Sequence, residues 1–280
     1  MTPKVDAHHH FWKVARGDYG WLTPEKGVLY RDYGPEDLEP LLGRAGIEAS
    51  VLVQAAPTEA ETRFLFAEAS AAPFVAGVVG WTEMEAADFE ARLEILVDDG
   101  QGLLKGIRPM VQDIADPEWL LRVTLDDAFK RLASKGLVFD ALVRPGQLGA
   151  LLRRVAAHPE LTVVIDHCAK PDIARAAFEH WATAMTELAR ETSAYCKLSG
   201  LVTEAGDDPS PARLQRYVEH VVDVFTPARL IWGSDWPVLN LAGNYGAWFG
   251  TAQDLLAGLS DAERGAVFGG NAIRAYGLDL

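Results

Sequence analysis

Eight short β-rich runs recur along this 280-residue chain, each followed by a segment of helical pattern, and this rhythm restricts the fold more than any single motif does. The runs occupy residues 4–8, 50–54, 74–80, 103–108, 137–142, 161–167, 194–199 and 230–235. Two of them contain the unbroken apolar stretches Val51-Leu52-Val53 and Val163-Val164-Ile165, the pattern of parallel strands covered on both faces. Helix starts are expected at Thr58–Glu61, Thr82–Glu85 and Ser260–Glu263 from their capping-box spacing, and at Asp116-Pro117 and Ser210-Pro211 from a capping side chain before proline. Gly46 and Gly136 follow helical runs, where glycine suits a left-handed stop. Alternating strands and helices mean βαβ units, in an open sheet or a closed barrel. No strand is followed by a glycine-rich nucleotide fingerprint. The count of eight, in a chain near the roughly 250 residues of a closed barrel, selects the α/β class and a (β/α)₈ TIM barrel. No low-complexity linker divides the chain, so residues 1–280 read as a single domain.

A barrel makes a further demand: its chemistry belongs at the C-terminal ends of its strands. Strand one ends in His8-His9-His10, strand two at Gln54, strand three at Gly80-Trp81 and strand four at Arg108. Strand six ends in Asp166-His167, strand seven in Lys197-Leu198-Ser199 and strand eight in Ser234-Asp235-Trp236. His8 and His10 flank His9 along an extended chain, so they share a face. With His167 and Asp235 they offer three or four ligands for a divalent cation. A lone histidine at a strand end is ordinarily a polar cap. The combination of H-x-H, D-H and G-S-D-W-P at ends that a barrel gathers together argues for a site instead. Arg108, with its forked donors, suits a substrate oxygen, although an ion pair across the mouth would use it equally well. Lys105 and Arg108 are separated by an odd number of residues, so a regular strand turns only one of them inward, and Arg108 is chosen. Trp12, Trp81 and Trp236 are candidate stacking walls, and Gln54 a polar contact, for a substrate. The long first loop, 11–35, carries Trp12, Tyr19 and Trp21 and is placed to cover the site.

Composition narrows the partners. A formal net charge of −14 opposes nonspecific binding to nucleic acid or to an anionic membrane surface. No apolar run approaches the roughly 18 residues of a membrane span, and the start MTPKVDAHHHFW lacks the apolar region of a signal peptide. The two cysteines, Cys168 and Cys196, fall in buried-strand patterns and read as a reduced pair, which leads to the expectation of a cytoplasmic protein. Oligomeric state is left open.

The segments DAHHHFW, VLVQAAPTEAETRFL, GVVGWTEME, LKGIRPMVQD, GLVFDALVRP, VVIDHCAKPDI, YCKLSGLVTEA, RLIWGSDWPV and GGNAIRAYGL together resemble the amidohydrolase-related sugar lactonases. L-fuconolactonases, L-rhamnonolactonases and, more distantly, 2-pyrone-4,6-dicarboxylate lactonase belong to that group. The resemblance runs in order along essentially the whole chain. It implies a barrel that hydrolyses a small-molecule lactone to its hydroxy acid. His8 and His10 then match the H-x-H of strand one, His167 the histidine of strand six and Asp235 the aspartate ending strand eight. His9 departs from the glutamine common in relatives and, by alternation, points away from the ligands. Strand five ends near Asp140 without a histidine, against the two-metal pattern. The implied cofactor is one divalent metal, with zinc the first choice and metal-independent hydrolysis the alternative.

On this reading Asp235 is the general base, while His167 and Arg108 stabilise the oxyanion where a cation does not. A neutral aldonolactone suits Gln54, Trp81 and a single Arg108. The dicarboxylate branch calls for a second basic residue after the strand-four arginine, and 109–115 contains none. A metal-dependent decarboxylase of an aromatic acid would use a similar residue set and would release carbon dioxide without opening a lactone. A catalytically silent barrel would bind ligand without turnover.

Overall fold

A computed structural model describes residues 2–280. Eight parallel strands follow one another around the sheet in chain order: β1 Val5–His9, β2 Ala49–Val53, β3 Val75–Gly80, β4 Leu104–Ile107, β5 Val138–Ala141, β6 Val163–Ile165, β7 Tyr195–Leu198 and β8 Leu230–Trp232. A parallel bridge from His9 to Trp236 joins the last strand's extension to the first. Two amide bonds reinforce it, from Asp235 N to the His8 carbonyl (2.8 Å) and from His10 N to the Trp236 carbonyl (2.7 Å). The fold is the expected (β/α)₈ barrel. Among the described residues, no helix is long and apolar enough to cross a membrane.

The covering helices are α1 Pro35–Ala45, α2 Glu59–Ser70, α3 Phe89–Gly100, α4 Asp126–Ser134, α5 Leu148–Ala157, α6 Glu179–Glu191, α7 Leu201–Glu204, α8 Pro211–Phe225, α9 Tyr245–Leu255, α10 Asp261–Gly265 and α11 Asn271–Tyr276. Three of the expected starts occur as written. The Thr58 hydroxyl accepts from Glu61 N, Ser260 and Glu263 form a full capping box, and Pro211 opens α8. Two do not. Helix α3 begins only at Phe89, because Glu85 is drawn away to accept from Trp119 Nε1 at 2.7 Å and to pair with Arg122. After Asp116-Pro117 the chain makes short 3₁₀ turns, and α4 starts at Asp126.

Inside the barrel, small and β-branched residues such as Val5, Ala7, Val51, Val138 and Val164 fill the lower half. Ala272, Ala275, Tyr276 and Leu278 join the same cluster, so the C-terminal helix plugs the end opposite the site. Between the strands and the outer helices lies the larger core, which includes Leu52, Phe139, Ile165 and Trp232.

Strand β1 is irregular. Its pairing with β2 runs Asp6↔Ser50 and then His9↔Leu52, so one extra residue is inserted in β1. Val5 and Ala7 pack inside the barrel, while Asp6 accepts from Tyr245 OH of α9 on the outside. Strict alternation from there would turn His8 and His10 outward with Asp6. The bulge reverses the phase, bringing His8 and His10 inward and leaving His9 against Ser50 Oγ at 2.8 Å and Phe11. Strand β4 also carries a register shift against β3. Lys105 donates to the Gly277 carbonyl at the plugged end (3.1 Å), whereas Arg108 lies at the mouth.

Candidate active site

The strand ends converge on Asp235. Its Oδ1 lies 3.4 Å from His10 Nε2, 3.8 Å from His8 Nε2 and 3.9 Å from His167 Nε2. All four residues are buried. Each imidazole edge is aimed by a bond at its other nitrogen. His10 Nδ1 donates to the Val53 carbonyl at 2.7 Å, and His167 Nδ1 lies 2.8 Å from Ser199 Oγ. His8 Nδ1 faces Asp166 Oδ1 at 3.5 Å and Lys197 Nζ at 3.2 Å. Such partners behind a ligand fix ring orientation and tautomer.

The backbone bends sharply to achieve this. His167, Cys168, Ala169 and Lys170 form a left-handed turn with φ between 51° and 57°, and Asp235 has φ 58°. Each such residue carries about 1–2 kcal/mol of strain outside glycine, and strain of this kind gathers at functional sites. Gly200 is required beside the turn. It has φ 66°, and a Cβ there would meet His167 Nδ1 at 2.6 Å.

Beneath the cluster is a fully buried charge network. Lys197 Nζ lies 2.7 Å from Asp140 Oδ2 and 2.8 Å from Asp166 Oδ1, and Tyr276 OH donates to Asp140 at 2.9 Å. Arg108 Nη1 donates to Asp166 Oδ2 at 3.3 Å and also lies 3.3 Å from His8 Nε2. Its Nη2 donates to the Gln54 backbone carbonyl and to Gln54 Oε1, and Gln54 Nε2 donates back to the Arg108 carbonyl at 2.8 Å. Arg108 Nε, though buried, has no partner. An orphan donor of this kind calls for an explanation.

Burial keeps the imidazoles of His8 and His167 neutral. Burial lowers His8 well below the usual histidine value and takes His167 down to about 4. Each of these two rings therefore keeps one nitrogen lone pair at neutral pH. Burial works to raise the Asp235 carboxyl, but His167, His10 and His8 outweigh it and hold the group well below the usual range, so it stays ionised. Asp166 is likewise held low against burial, first by Lys197 and then by His8. One ligand atom each from His8, His167 and Asp235 lies within 4.8 Å of the others. Neutral nitrogens and an anionic oxygen fit a divalent cation of the zinc type with an open coordination position. His10 stands next to Asp235 but outside that trio.

A cavity of about 250 Å³ opens onto the cluster, lined among others by His10, Arg108, His167 and Asp235. The remaining residues expected at the substrate sit elsewhere. Gln54 is fully buried and acts as a clamp on Arg108. Trp12 is fully buried, donates to the Arg31 carbonyl and packs edge-on against Trp21 at 5.3 Å. Trp236 is buried against Phe11 and Tyr33. Trp81 lines a neighbouring, larger cavity. Trp21, anchored through Nε1 to the Ala55 carbonyl at 2.7 Å, is the aromatic wall of the cavity over the cluster. Lys26, Gln112 and Lys170 also line it, although none of them ends a strand. Their only signal in the sequence was membership of loops that follow strands. Asp166, Lys197 and Ser199, by contrast, were visible as polar strand ends.

A family model described as amidohydrolase matches residues 5–278. An L-fucono-1,5-lactonase of Burkholderia ambifaria is 46% identical over 283 residues, covering 100% of this chain and 97% of that protein. An L-fucono-1,5-lactonase of Burkholderia multivorans is 38% identical, covering 98% of this chain and 96% of its own length. A crystal structure of an amidohydrolase from Burkholderia multivorans with bound zinc superposes with a TM-score of 0.93 at 35% identity, covering 99% and 100% of the two chains.

Proposed function

Since the chain belongs to the amidohydrolase family, we propose that it is a hydrolase that opens a sugar lactone, with L-fucono-1,5-lactone as the first substrate to test. The observation that carries the chemistry is Asp235, ringed by three imidazole edges at 3.4–3.9 Å in the same cavity as an arginine with a free buried N–H. The choice of sugar rests on the two lactonase relatives.

Hydrolysis of a lactone requires that a water oxygen bond to the carbonyl carbon, that the carbon–ring-oxygen bond break, and that a proton reach the departing oxygen. Asp235, ionised and buried, takes the proton from the attacking water and delivers it to the ring oxygen. Arg108, clamped by Gln54 and Asp166, lines the cavity and places its guanidinium charge beside the carbonyl oxygen, where negative charge grows. Gln112, which also lines the cavity, offers a side-chain amide to a substrate hydroxyl. Trp21 supplies an apolar wall for the ring's C–H face. His8, His167 and Asp235, with His10 beside them, would hold one divalent metal, for which zinc is our proposal. Such an ion polarises a carbonyl and lowers the pKa of water when bound. The buried cysteines are free thiols, in keeping with a reducing, cytoplasmic setting.

The test is proton release, followed with a pH indicator, from freshly prepared aldonolactones including L-fucono-1,5-lactone, with and without chelator. Turnover of one or two sugars, lost on chelation and restored by zinc, is expected. Carbon dioxide from aromatic acids in place of lactone opening would remove the lactonase reading.

A further inference from the structure

Next to the cavity over Asp235 lies a second of about 680 Å³. Trp21, Met110 and Asp113 line both, so the two chambers share a wall. The wall has a fixed and an adjustable part. Trp21 is tied to the Ala55 carbonyl and backed by Trp12, whereas Met110 is a flexible, half-buried thioether. The inner chamber, about 250 Å³, is below the roughly 300 Å³ at which pockets for larger ligands begin. It suits one small ring. The outer chamber falls within the range of such pockets and exceeds what a monocyclic lactone needs.

The chemistry of the two chambers differs. Arg108, Lys26 and Lys170 line the inner one together with Asp235 and the shared Asp113, while Asp18, Glu83 and Glu85 line the outer one alone. Among the described residues the one cation of the outer chamber, Arg122, is already paired with Glu85 at 3.0 Å and Asp116 at 3.1 Å. Glu83 and Asp113 are exposed acceptors. Trp81 and Trp119 add aromatic surface. Acceptors and aromatic faces without a free cation reject an anion and suit a neutral group rich in hydroxyl donors.

We infer that the outer chamber is a second sugar subsite, so that the enzyme opens lactones carrying a glycosyl substituent on the ring carbon across from the carbonyl. This rests on the lactonase reading. The probe pair is L-fucono-1,5-lactone and its 4-O-β-D-glucosyl derivative, compared by kcat/KM with the full-length enzyme. The derivative is expected to retain at least about a tenth of the parent's kcat/KM, a loss of no more than about 1.4 kcal/mol. Ile114→Trp, which fills the outer chamber alone, should lower the derivative-to-parent ratio at least fivefold while the parent stays within twofold. Glu83→Arg, at an exposed position, provides the same comparison should Ile114→Trp fail to fold. A derivative below a tenth of the parent, or a ratio unmoved by the variants, overturns the subsite while leaving lactone hydrolysis intact. If the wild type opens neither compound, the lactonase reading falls and the subsite falls with it.

Discussion

Asp235 and Lys197 illustrate two uses of buried charge at the scale of single residues. Asp235 meets three imidazole edges and the cavity, so its charge is directed at whatever enters. Asp235→Asn keeps the size of the side chain and removes the proton acceptor. We expect kcat to fall about 10²–10⁴-fold, the usual contribution of a general base, with little change in thermal unfolding; near-normal turnover would eliminate Asp235 as the base. Lys197 never reaches the cavity. It is fully buried between Asp140 and Asp166 and stands behind His8. Lys197→Met leaves Asp140 without a cation and Asp166 with Arg108 alone, at a cost of about 3–5 kcal/mol for a broken buried ion pair. Urea unfolding checks this, and an unchanged midpoint with unchanged slope would mean that the network contributes nothing. Trp12 follows the same logic in apolar form, since it acts by holding Trp21 rather than by touching substrate.

Among the elements, the loop after β2 is held by the first turn of α2. Glu61, fully buried, accepts from Ala55 N at 2.8 Å and Ala56 N at 2.9 Å, while Thr58 caps the helix. This loop presents the Ala55 carbonyl that anchors Trp21, so a helix cap is coupled to the wall of the cavity. Burial pushes the Glu61 carboxyl up to about 8, against the two amides that hold it down. A folded value above the ordinary 4.5 means that the folded state keeps a proton which the unfolded chain has lost. The stabilisation is complete below about pH 4.5 and disappears as pH rises through about 8. Glu61→Gln should flatten the fall in stability across that window in pH-dependent denaturant unfolding. A variant that keeps the wild-type slope would assign the dependence to another group. The bulge in β1 and the left-handed turn at His167–Lys170 are the other decisive elements, because each aims a histidine of the cluster that a regular strand would misdirect.

For the whole molecule, closing eight strands gathers groups from β1, β4, β6 and the end of β8 that lie as much as 227 positions apart, from His8 to Asp235. The C-terminal helix fills the opposite end, so folding and site assembly proceed together. A cation bound only by the assembled site must stabilise the fold. At roughly 100 times its dissociation constant, zinc should add about 2.7 kcal/mol, seen as a higher unfolding temperature that His8→Ala abolishes. Equal unfolding temperatures with and without zinc would show that the cluster is not a metal site. The outer chamber, whose Arg122 is already paired, beside an inner one that adds Arg108, Lys26 and Lys170 is likewise a property of the assembled mouth, since Asp18, Glu83 and Asp113 come from three different loops.

The sequence by itself determined the strand–helix alternation, the barrel, the polar strand ends and the four groups His8, His10, His167 and Asp235, because periodicity and strand-end chemistry are local properties of the chain. Even Asp166, Lys197 and Ser199 were in view as strand-end polar residues. Tertiary structure alone decided which way they face. A single inserted residue in β1 reverses its phase, and left-handed backbone at His167 is set by packing against Gly200 rather than by propensity. It also decided that Trp12, Trp236 and Gln54 support the site from behind, and that Trp21, Gln112 and two loop lysines line it. The paths of long loops depend on distant contacts, such as Trp21 with Ala55 or Glu85 with Trp119, which no local pattern encodes.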